Sequence, residues 1–258
     1  MPFNIAGVLV PLHLIVNPRL IIPSIIVKDI RQLDFPELRK AGYRGAVFDK
    51  DNCLTVPHDD RLVPELQEAW RICRETFGEG NVLIVSNTAG SHQDAGGIGA
   101  EAVSYHLSAP VLRHPSLKPS YSCIASIRAY FASLPVPVRD EELIIVGDRL
   151  LTDVVLANRM SPPSEKSPIG DLSSSDEKVS EVTKPAGPLA VWTTGMWRRD
   201  ATVLRWIEQG LLHGVQRWVI PEVPNAEQMR RFVRPLPPIE EPVKEEGMLK
   251  KLWSRFRR

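Results

Sequence analysis

One short stretch constrains the fold of this chain more than any other. An apolar run from Gly45 to Phe48 ends abruptly in two carboxylates, Asp49 and Asp51, which are two residues apart. A run this short, closed by a polar turn, is typical of a buried parallel strand. Open α/β sheets place their chemistry at the carboxyl ends of such strands. The stretch therefore predicts a parallel sheet with an acidic group at its carboxyl edge.

The two carboxylates also indicate what lies beside them. Alternation along a continuing strand would place Asp49 and Asp51 on the same face, at the rim of a crevice. Two carboxylates this close repel each other, so a cationic group is expected between or beside them. A divalent metal with oxygen ligands is the simplest candidate. The alternative is a solvated turn, on which Asp-x-Asp pairs are common.

Three further polar positions follow in order along the chain. Two of them end apolar runs, as the first pair does, and one precedes a helical pattern. They are Ser86 with Asn87 after residues 82–85, Lys118 before the pattern, and Asp148 after residues 143–147 with Asp153 one turn on. Together these positions favour a chemical role for the edge over a solvated turn.

Alternating strands and helices predict an α/β three-layer sandwich with a central parallel sheet. The intervals between the polar positions each hold about one helix, so no large cap domain is expected. An uncapped site suits a phosphate on something large, such as a lipid head group or a protein. Helical patterns are predicted for residues 34–42, 64–77, 120–134, 153–160 and 197–219.

The order DxD, hydrophobic-Ser-Asn, Lys, GDxxxxD resembles the four motifs of the haloacid dehalogenase-like (HAD) superfamily of aspartate-nucleophile phosphatases. Within it, residues 48–55 (FDKDNCLT), 86–90 (SNTAG) and 147–153 (GDRLLTD) are similar to the mitochondrial phosphatidylglycerophosphate phosphatases of fungi and plants and to related bacterial HAD phosphatases. The likeness covers residues 1–160 and resumes at 189–199. Asn52 and Cys53 depart from the broad superfamily, which usually has Gly and then Thr or Val, and they fit the narrower branch.

The resemblance implies a role for each motif residue. Asp49 would attack phosphorus and form an aspartyl phosphate. Asp51 would protonate the leaving alkoxide and then take a proton from water. Ser86 would hold a phosphoryl oxygen, and Lys118 would balance the charge of the nucleophile and the phosphate.

The resemblance also implies a Mg²⁺ site. Its ligands would be Asp49, Asp148 and the main-chain carbonyl of Asp51, while Asp153 would bind the metal through water or anchor Lys118. For substrate contacts the candidates are Asn87, Arg113 and His114. A histidine beside a strand end is also commonly an ordinary loop residue, so that alternative stays open.

Composition narrows the function classes. The chain has 258 residues and a formal net charge of +1, so no overall field favours nucleic acid. Its three cysteines, Cys53, Cys73 and Cys123, form no CxxC or Cys/His pattern. They indicate buried thiols in a non-oxidising compartment.

The ends of the chain differ from its middle. Residues 1–33 are apolar but interrupted by prolines, which favours a segment on a membrane surface, in a partner, or packed on its own domain. A catalytic domain is predicted over 34–220, with a disordered insertion at 161–188 that is rich in Ser, Pro and charge. The tail, 221–258, is Pro-rich and ends in a basic amphipathic segment suited to an anionic membrane. A nucleic-acid contact or a solvated helix is the alternative for that segment.

The resemblance, together with the expected absence of a cap and the apolar or basic ends of the chain, implies Mg²⁺-dependent removal of the terminal phosphate of phosphatidylglycerophosphate, giving phosphatidylglycerol for cardiolipin synthesis. The expected partners are an anionic phospholipid substrate and a membrane surface, without nucleic acid, and self-association is left open. The expected location is mitochondrial, peripheral on the matrix side of the inner membrane. Two alternatives remain: a HAD phosphatase for a soluble phosphoester or phosphoprotein, and a membrane-associated scaffold with a non-catalytic HAD fold.

Overall fold

A parallel sheet forms the centre of the protein. The structure, a computed structural model, describes residues 17–162, 187–195, 197, 202–218 and 226–236. In this part of the chain five strands form one sheet in the order β1-β5-β4-β2-β3, and every neighbouring pair is parallel. The strands are β1 (Ile25–Val27), β2 (Gly45–Phe48), β3 (Val82–Ile84), β4 (Leu143–Gly147) and β5 (Leu189–Thr193).

Helices connect the strands and cover both faces of the sheet. They are α1 (Phe35–Lys40), α2 (Gln67–Phe77), α3 (Ile98–Leu107), α4 (Tyr121–Ala132), α5 (Val155–Met160), α6 (Thr202–Trp218) and α7 (Ala226–Arg230). Short 3-10 turns at Pro18–Ile21, Ile30–Gln32, Pro64–Leu66, Ala95–Gly97 and Asp140–Glu142, and one π-helical turn at Leu150–Val154, join them.

Local sequence explains where the helices begin and end. The side chain of Asp34 accepts a hydrogen bond from Glu37 N at 3.0 Å and caps α1, and Ser120 caps α4 in the same way through Cys123 N at 3.2 Å. Gly78 follows α2 with a φ of 87°, a conformation that favours glycine. The predicted helices at 34–42, 64–77 and 120–134 are therefore confirmed.

The core consists of two apolar layers, one on each face of the sheet. Along β2, Ala46 and Phe48 face the layer formed with α1, α2 and α3, whereas Val47 faces the layer formed with α4 and α5. This alternation follows from the two-residue repeat of a strand. The predicted α/β three-layer sandwich is confirmed.

The described part of the N-terminal segment belongs to this core. β1 lies at the edge of the sheet and pairs with β5, with Ile25 opposite Val191. The side chains of Ile21 and Ile30 are fully buried. The sequence did not indicate an edge strand here, because three strand residues between prolines carry too weak a pattern. The predicted domain boundaries, between residues 33 and 34 and between residues 220 and 221, stay predictions.

Three stretches with specific predictions fall largely or wholly outside the described residues. They are residues 1–16 of the apolar segment, residues 163–186 of the predicted insertion, and residues 237–258 with the basic amphipathic end. Of the tail, residues 226–236 are described, and Phe232 packs against the core with its side chain buried. Among the helices that the structure describes, none has the length and apolar character needed to cross a bilayer.

The intervals between the motifs are fully described and short. Residues 49–81 hold a loop and α2, and residues 86–118 hold a loop and α3. Neither of these two described intervals contains a separate domain, as predicted. The carboxyl edge of the sheet is thus uncovered by any insertion between these motifs.

Candidate active site

Two adjacent strands bring the first and last motifs together. β2 and β4 pair in parallel with Phe48 opposite Val146, and the amide of Asp49 donates to the carbonyl of Val146 at 2.9 Å. Asp148 therefore follows β4 at the same edge at which Asp49 follows β2. With Asp153, they form a cluster in which one carboxylate oxygen from each residue lies within 4.8 Å of the others.

Lys118 supplies a cation to this cluster. Its Nζ lies 2.7 Å from Asp49 Oδ1 and 2.7 Å from Asp153 Oδ1, and its side chain is 3% exposed. The Asn87 side chain holds the Lys118 backbone in place by accepting from its amide at 2.7 Å. This hydrogen bond links the Ser86-Asn87 motif to Lys118. The carboxamide of Asn87, a predicted substrate contact, therefore already makes a hydrogen bond within the protein.

Asp51 lies beside this cluster and has a separate set of partners. Its Oδ1 lies 3.0 Å from the Nζ of Lys50 and accepts from the amide of His58 at 3.2 Å. Its Oδ2 accepts from the hydroxyl of Thr88 at 2.9 Å. The cationic groups expected near the two carboxylates are therefore Lys118 for Asp49 and Lys50 for Asp51. Asn52 follows with a φ of 60°, as a tight turn here requires.

Hydrogen bonds from Thr88 and contacts from His114 hold the segment that follows β3 in place. The Ser86 hydroxyl accepts from the amide of Thr88 at 3.1 Å and lies 2.9 Å from its hydroxyl. The ring of His114 is buried, with Nδ1 2.6 Å from the carbonyl of Ser116 and Nε2 3.0 Å from the carbonyl of Ser86. Both ring nitrogens thus contact main-chain carbonyls, and burial lowers the pKa of His114.

Arg113 differs from the other predicted site residues. Its side chain is largely exposed and its guanidinium lies 3.2 Å from Glu101 Oε1. Of the predicted site residues, Asp49, Asp148 and Asp153 form one cluster, and Lys118 contacts two of its members. Arg113, in contrast, lies on the surface. The predicted substrate contacts of Asn87, Arg113 and His114 stay predictions.

Asp153 lies on the π-helical turn that follows β4 and is 2% exposed. Its Oδ1 contacts Lys118, as described above, and its Oδ2 accepts from the amide of Arg149 at 3.2 Å. The carboxylate also packs tightly on Gly147, where an added Cβ would lie 2.3 Å from Asp153 Cγ. Of the two roles considered for Asp153, anchoring Lys118 is the one that these contacts support.

Sequence reasoning missed two residues of α6. Arg205 Nη2 lies 2.5 Å from Asp148 Oδ2, and the Glu208 carboxylate accepts from the amide of Leu151 at 3.1 Å through Oε1. Both side chains are buried, with 7% and 1% of the residue exposed. The only sequence signal was their i, i+3 spacing on a helix that follows a strand.

The electrostatics of the cluster are dominated by burial. Burial, with repulsion from Asp49 and Asp153, raises the pKa of Asp148 to about 8, although Arg205 opposes the shift. Burial likewise raises the pKa of Asp49, against the attraction of Lys118. Although burial disfavours its charged form, the carboxylates of Asp153 and Asp49 raise the pKa of Lys118.

The donor set fits a hard divalent cation. When all are ionised, the buried carboxylates of Asp49, Asp148, Asp153 and Glu208 exceed the neighbouring cations Lys118, Arg149 and Arg205 by one negative charge. Asp148 Oδ1 is buried and has no hydrogen-bond partner among the described residues. Carboxylate oxygens with no sulfur or imidazole among them are the ligands that suit Mg²⁺. Asp51 does not join the carboxylate cluster, and its predicted carbonyl ligand stays a prediction.

Comparisons with known proteins give matches whose names share one activity. The family model described as mitochondrial PGP phosphatase matches residues 5–164. The mitochondrial phosphatidylglycerophosphatase of Saccharomyces cerevisiae is 38% identical over 157 residues, which are 61% of this chain and 83% of that protein. The chloroplastic phosphatidylglycerophosphate phosphatase 1 of Chlamydomonas reinhardtii is 43% identical over 144 residues, 55% of this chain and 51% of that protein.

A further relative extends the same pattern. The probable mitochondrial phosphatidylglycerophosphatase of Schizosaccharomyces pombe is 32% identical over 169 residues, 62% of this chain and 80% of that protein. No solved structure matches significantly. The family match includes Asp49, Asp51, Ser86, Lys118 and the Asp148 motif, and it ends before Arg205.

Proposed function

Because this chain belongs to the mitochondrial PGP phosphatase family, we propose that it hydrolyses phosphatidylglycerophosphate to phosphatidylglycerol and inorganic phosphate. The relatives at 38% and 43% identity carry that activity in their names. The observation that supports the proposal is the contact of Lys118 with both Asp49 and Asp153 beside Asp148. The proposed nucleophile, a cation and a candidate metal-binding group then lie together at one edge of the sheet.

In the first step of the proposed reaction, Asp49 is the nucleophile. Its carboxylate oxygen forms a bond to phosphorus while the bond between phosphorus and the glycerol oxygen breaks. The carboxyl group of Asp51 gives its proton to that glycerol oxygen, which leaves as an alcohol. Lys118 holds Asp49 in place and offsets negative charge that accumulates on the phosphoryl group.

The second step regenerates the enzyme. Asp51, now ionised, takes a proton from a water molecule whose oxygen attacks phosphorus. The bond between phosphorus and the Asp49 oxygen breaks, and inorganic phosphate leaves. Lys50 and the hydroxyl of Thr88 hold the two oxygens of Asp51 at 3.0 and 2.9 Å, so that its carboxyl group keeps one orientation through both steps.

Mg²⁺ is the proposed cofactor. Asp49 and Asp148 would hold it, with Asp148 Oδ1 as the buried oxygen that lacks a partner among the described residues. When bound, the ion would neutralise phosphoryl charge and orient the phosphate. Arg205 occupies the other oxygen of Asp148 and so fixes the direction in which Oδ1 points.

The proposed location follows from the substrate and from the relatives, two of which are named as mitochondrial. We infer a peripheral association with the matrix side of the inner membrane, where an anionic phospholipid substrate would be presented. The lack of a cap domain within residues 49–81 and 86–118 supports this inference, since a site not covered by such an insertion can reach a phosphate that remains attached to a lipid in a bilayer.

Phosphate release from phosphatidylglycerophosphate in mixed micelles, with and without Mg²⁺, tests the proposal. We expect release that needs Mg²⁺ and is abolished by Asp49→Asn. Asp140→Asn is the matched control, because Asp140 precedes β4 at the opposite edge of the sheet and pairs with Arg128. Equal turnover of a small water-soluble ester would favour the soluble-substrate alternative, and failure to bind Mg²⁺ would favour the scaffold.

A further inference from the structure

Helix α6 has an unusual distribution of polar and apolar side chains. Its inner face carries Arg205 and Glu208, which are buried against the active site. Its outer face carries Trp206, Ile207 and Leu211, which are 79%, 52% and 37% exposed. A surface helix normally has the reverse arrangement, with apolar residues inside and charge outside.

The three exposed residues form one patch on the helix. Because successive residues of an α-helix are about 100° apart, Trp206, Ile207 and Leu211 lie within about 140° of one another. Leu212 lies on the other side of the helix with Arg205 and Glu208 and is buried in the core. We call the three exposed residues the α6 patch.

The α6 patch lies close to the catalytic edge. Arg205, the neighbour of Trp206 in sequence, contacts Asp148 and also donates to the carbonyl of Thr194 just beyond β5 at 3.4 Å. The N-terminal part of α6 is therefore fixed at the carboxyl edge of the sheet. A surface that bound the α6 patch would therefore contact the outer side of the helix whose inner side holds Asp148.

Charge around the α6 patch indicates the chemistry of its partner. Between residues 205 and 217, where side chains are described, the one acid is Glu208, and it is 1% exposed. The exposed polar residues there include Arg217 and His213, so the outer side of the helix carries no carboxylate in that range. An exposed tryptophan with apolar neighbours, and an exposed arginine about three turns further along the helix, are typical of a helix at the boundary of a membrane with water.

From these observations we propose that the α6 patch is the surface with which the enzyme docks on an anionic phospholipid bilayer. Trp206, Ile207 and Leu211 would enter the head-group region, and Arg217 would face the anionic head groups. The proposal rests on the proposed function, since a lipid substrate requires the catalytic edge to approach the bilayer surface. It adds to that function the part of the protein that makes the contact.

Docking on α6 would also couple the membrane to the site. The same helix holds Asp148 through Arg205 and the Leu150–Val154 turn through Glu208, so its position sets that of two acidic residues of the cluster. Binding at the outer face would fix the helix that positions the inner face. Turnover of a lipid in a bilayer should thus depend on the α6 patch, whereas turnover of a soluble ester should not.

The test compares Trp206→Glu with Tyr105→Glu in the full-length protein. Tyr105 is a matched control because it is an aromatic residue on α3 that is 81% exposed. Flotation with vesicles of phosphatidylcholine and phosphatidylglycerol measures binding. Phosphate release is measured from phosphatidylglycerophosphate in the same vesicles and from p-nitrophenyl phosphate in solution.

We expect Trp206→Glu to weaken vesicle binding and lower turnover in vesicles roughly tenfold or more, since burial of one large aromatic side chain is lost. Hydrolysis of p-nitrophenyl phosphate should be unchanged, and Tyr105→Glu should match the wild type in all three assays. Equal vesicle binding by Trp206→Glu and wild type would overturn the proposal. A wild-type protein that binds vesicles but releases no phosphate from the lipid would instead overturn the proposed function.

The α6 patch could instead bind a second copy of the chain or another segment of the same chain, and measurements without lipid distinguish these two cases from membrane binding. A second copy of the chain would make Trp206→Glu lower the molecular mass in sedimentation. Another segment of the same chain would make this substitution lower the melting temperature, as loss of an internal contact does. Either result in the absence of vesicles would contradict the membrane assignment, and an unchanged mass and melting temperature would support it.

Discussion

Arg205 binds one oxygen of the Asp148 carboxylate, Oδ2, and the other oxygen of Asp148 is buried without a hydrogen-bond partner among the described residues. One carboxylate therefore has an oxygen held by a buried arginine and a second buried oxygen that accepts no hydrogen bond from the described residues. This division is what a metal ligand needs, because the fixed oxygen sets the orientation of the free one.

Replacing Arg205 should weaken Mg²⁺ binding. In Arg205→Gln the Asp148 carboxylate loses its buried cation, so its charged form is less stable and its orientation less fixed. We expect about ten- to a hundredfold more Mg²⁺ to be needed for half-maximal phosphate release. Arg71→Gln is the control, since Arg71 is an exposed residue on α2 that pairs with Glu68 and Glu75. An unchanged Mg²⁺ requirement in Arg205→Gln would contradict this role.

The metal-free protein should lose stability as pH rises. The pKa of Asp148 is raised from 3.8 to about 8, so between these values the folded state keeps a proton that the unfolded state has released. The stabilising contribution of this group is therefore fully present below about pH 4 and is lost as pH rises through about pH 8.

Mg²⁺ should reverse this loss, because it binds the ionised carboxylates. The increase in melting temperature on adding Mg²⁺ should thus grow with pH up to about pH 8. Melting curves across this range, with chelator and with Mg²⁺, measure both effects. Asp148→Asn is the comparison: it should lack this part of the pH dependence, and a wild-type profile in that variant would assign the effect to another group.

Gly147→Ala should disable the site while the fold remains. An alanine Cβ would lie 2.3 Å from Asp153 Cγ, so the carboxylate must move away from Lys118. Misplacement of an aligned group by about 1 Å is expected to lower kcat about a hundredfold. Gly214→Ala is the control, because an added Cβ there meets nothing within 4 Å. Full activity in Gly147→Ala would mean that the contact of Asp153 with Lys118 is dispensable.

Thr88 should matter through its hydroxyl alone. The hydroxyl donates to Asp51 Oδ2, and a hydrogen bond to a charged group contributes about 1.5–3 kcal/mol. Thr88→Val should therefore lower kcat by roughly ten- to a hundredfold. Thr88→Ser keeps the donor and should retain most of the activity. Equal kcat values for the Val and Ser variants would show that Asp51 does not depend on this contact.

Much of the site could be predicted from sequence because it is built from strand ends. Parallel strands that pair side by side bring their carboxyl ends together, so Asp49 and Asp148 follow from two apolar runs and their polar ends. The role of Lys118 needed the resemblance to a known family, since a lysine before a helix has no local signal that points to a distant carboxylate.

Arg205 and Glu208 could not be predicted, because their contacts depend on tertiary packing. Arg205 reaches Asp148 across 57 positions of sequence, and the intervening residues include the segment predicted to be a disordered insertion. A helix in which the charged face is buried and the apolar face is exposed also reverses the usual interpretation of the pattern. β1 was missed for a local reason, since Ile25–Val27 is too short to show strand alternation.

Identification of the residue that bears the phosphate tests the central claim most directly. The protein would be mixed with phosphatidylglycerophosphate and Mg²⁺, quenched in acid and treated with borohydride, which reduces an acyl phosphate to an alcohol. Mass spectrometry of the resulting peptides should show homoserine at position 49, and not at position 51, in a fraction of the chains. Continued release of phosphate by Asp49→Asn, or homoserine at another aspartate in the wild type, would contradict the assignment of Asp49 as the nucleophile.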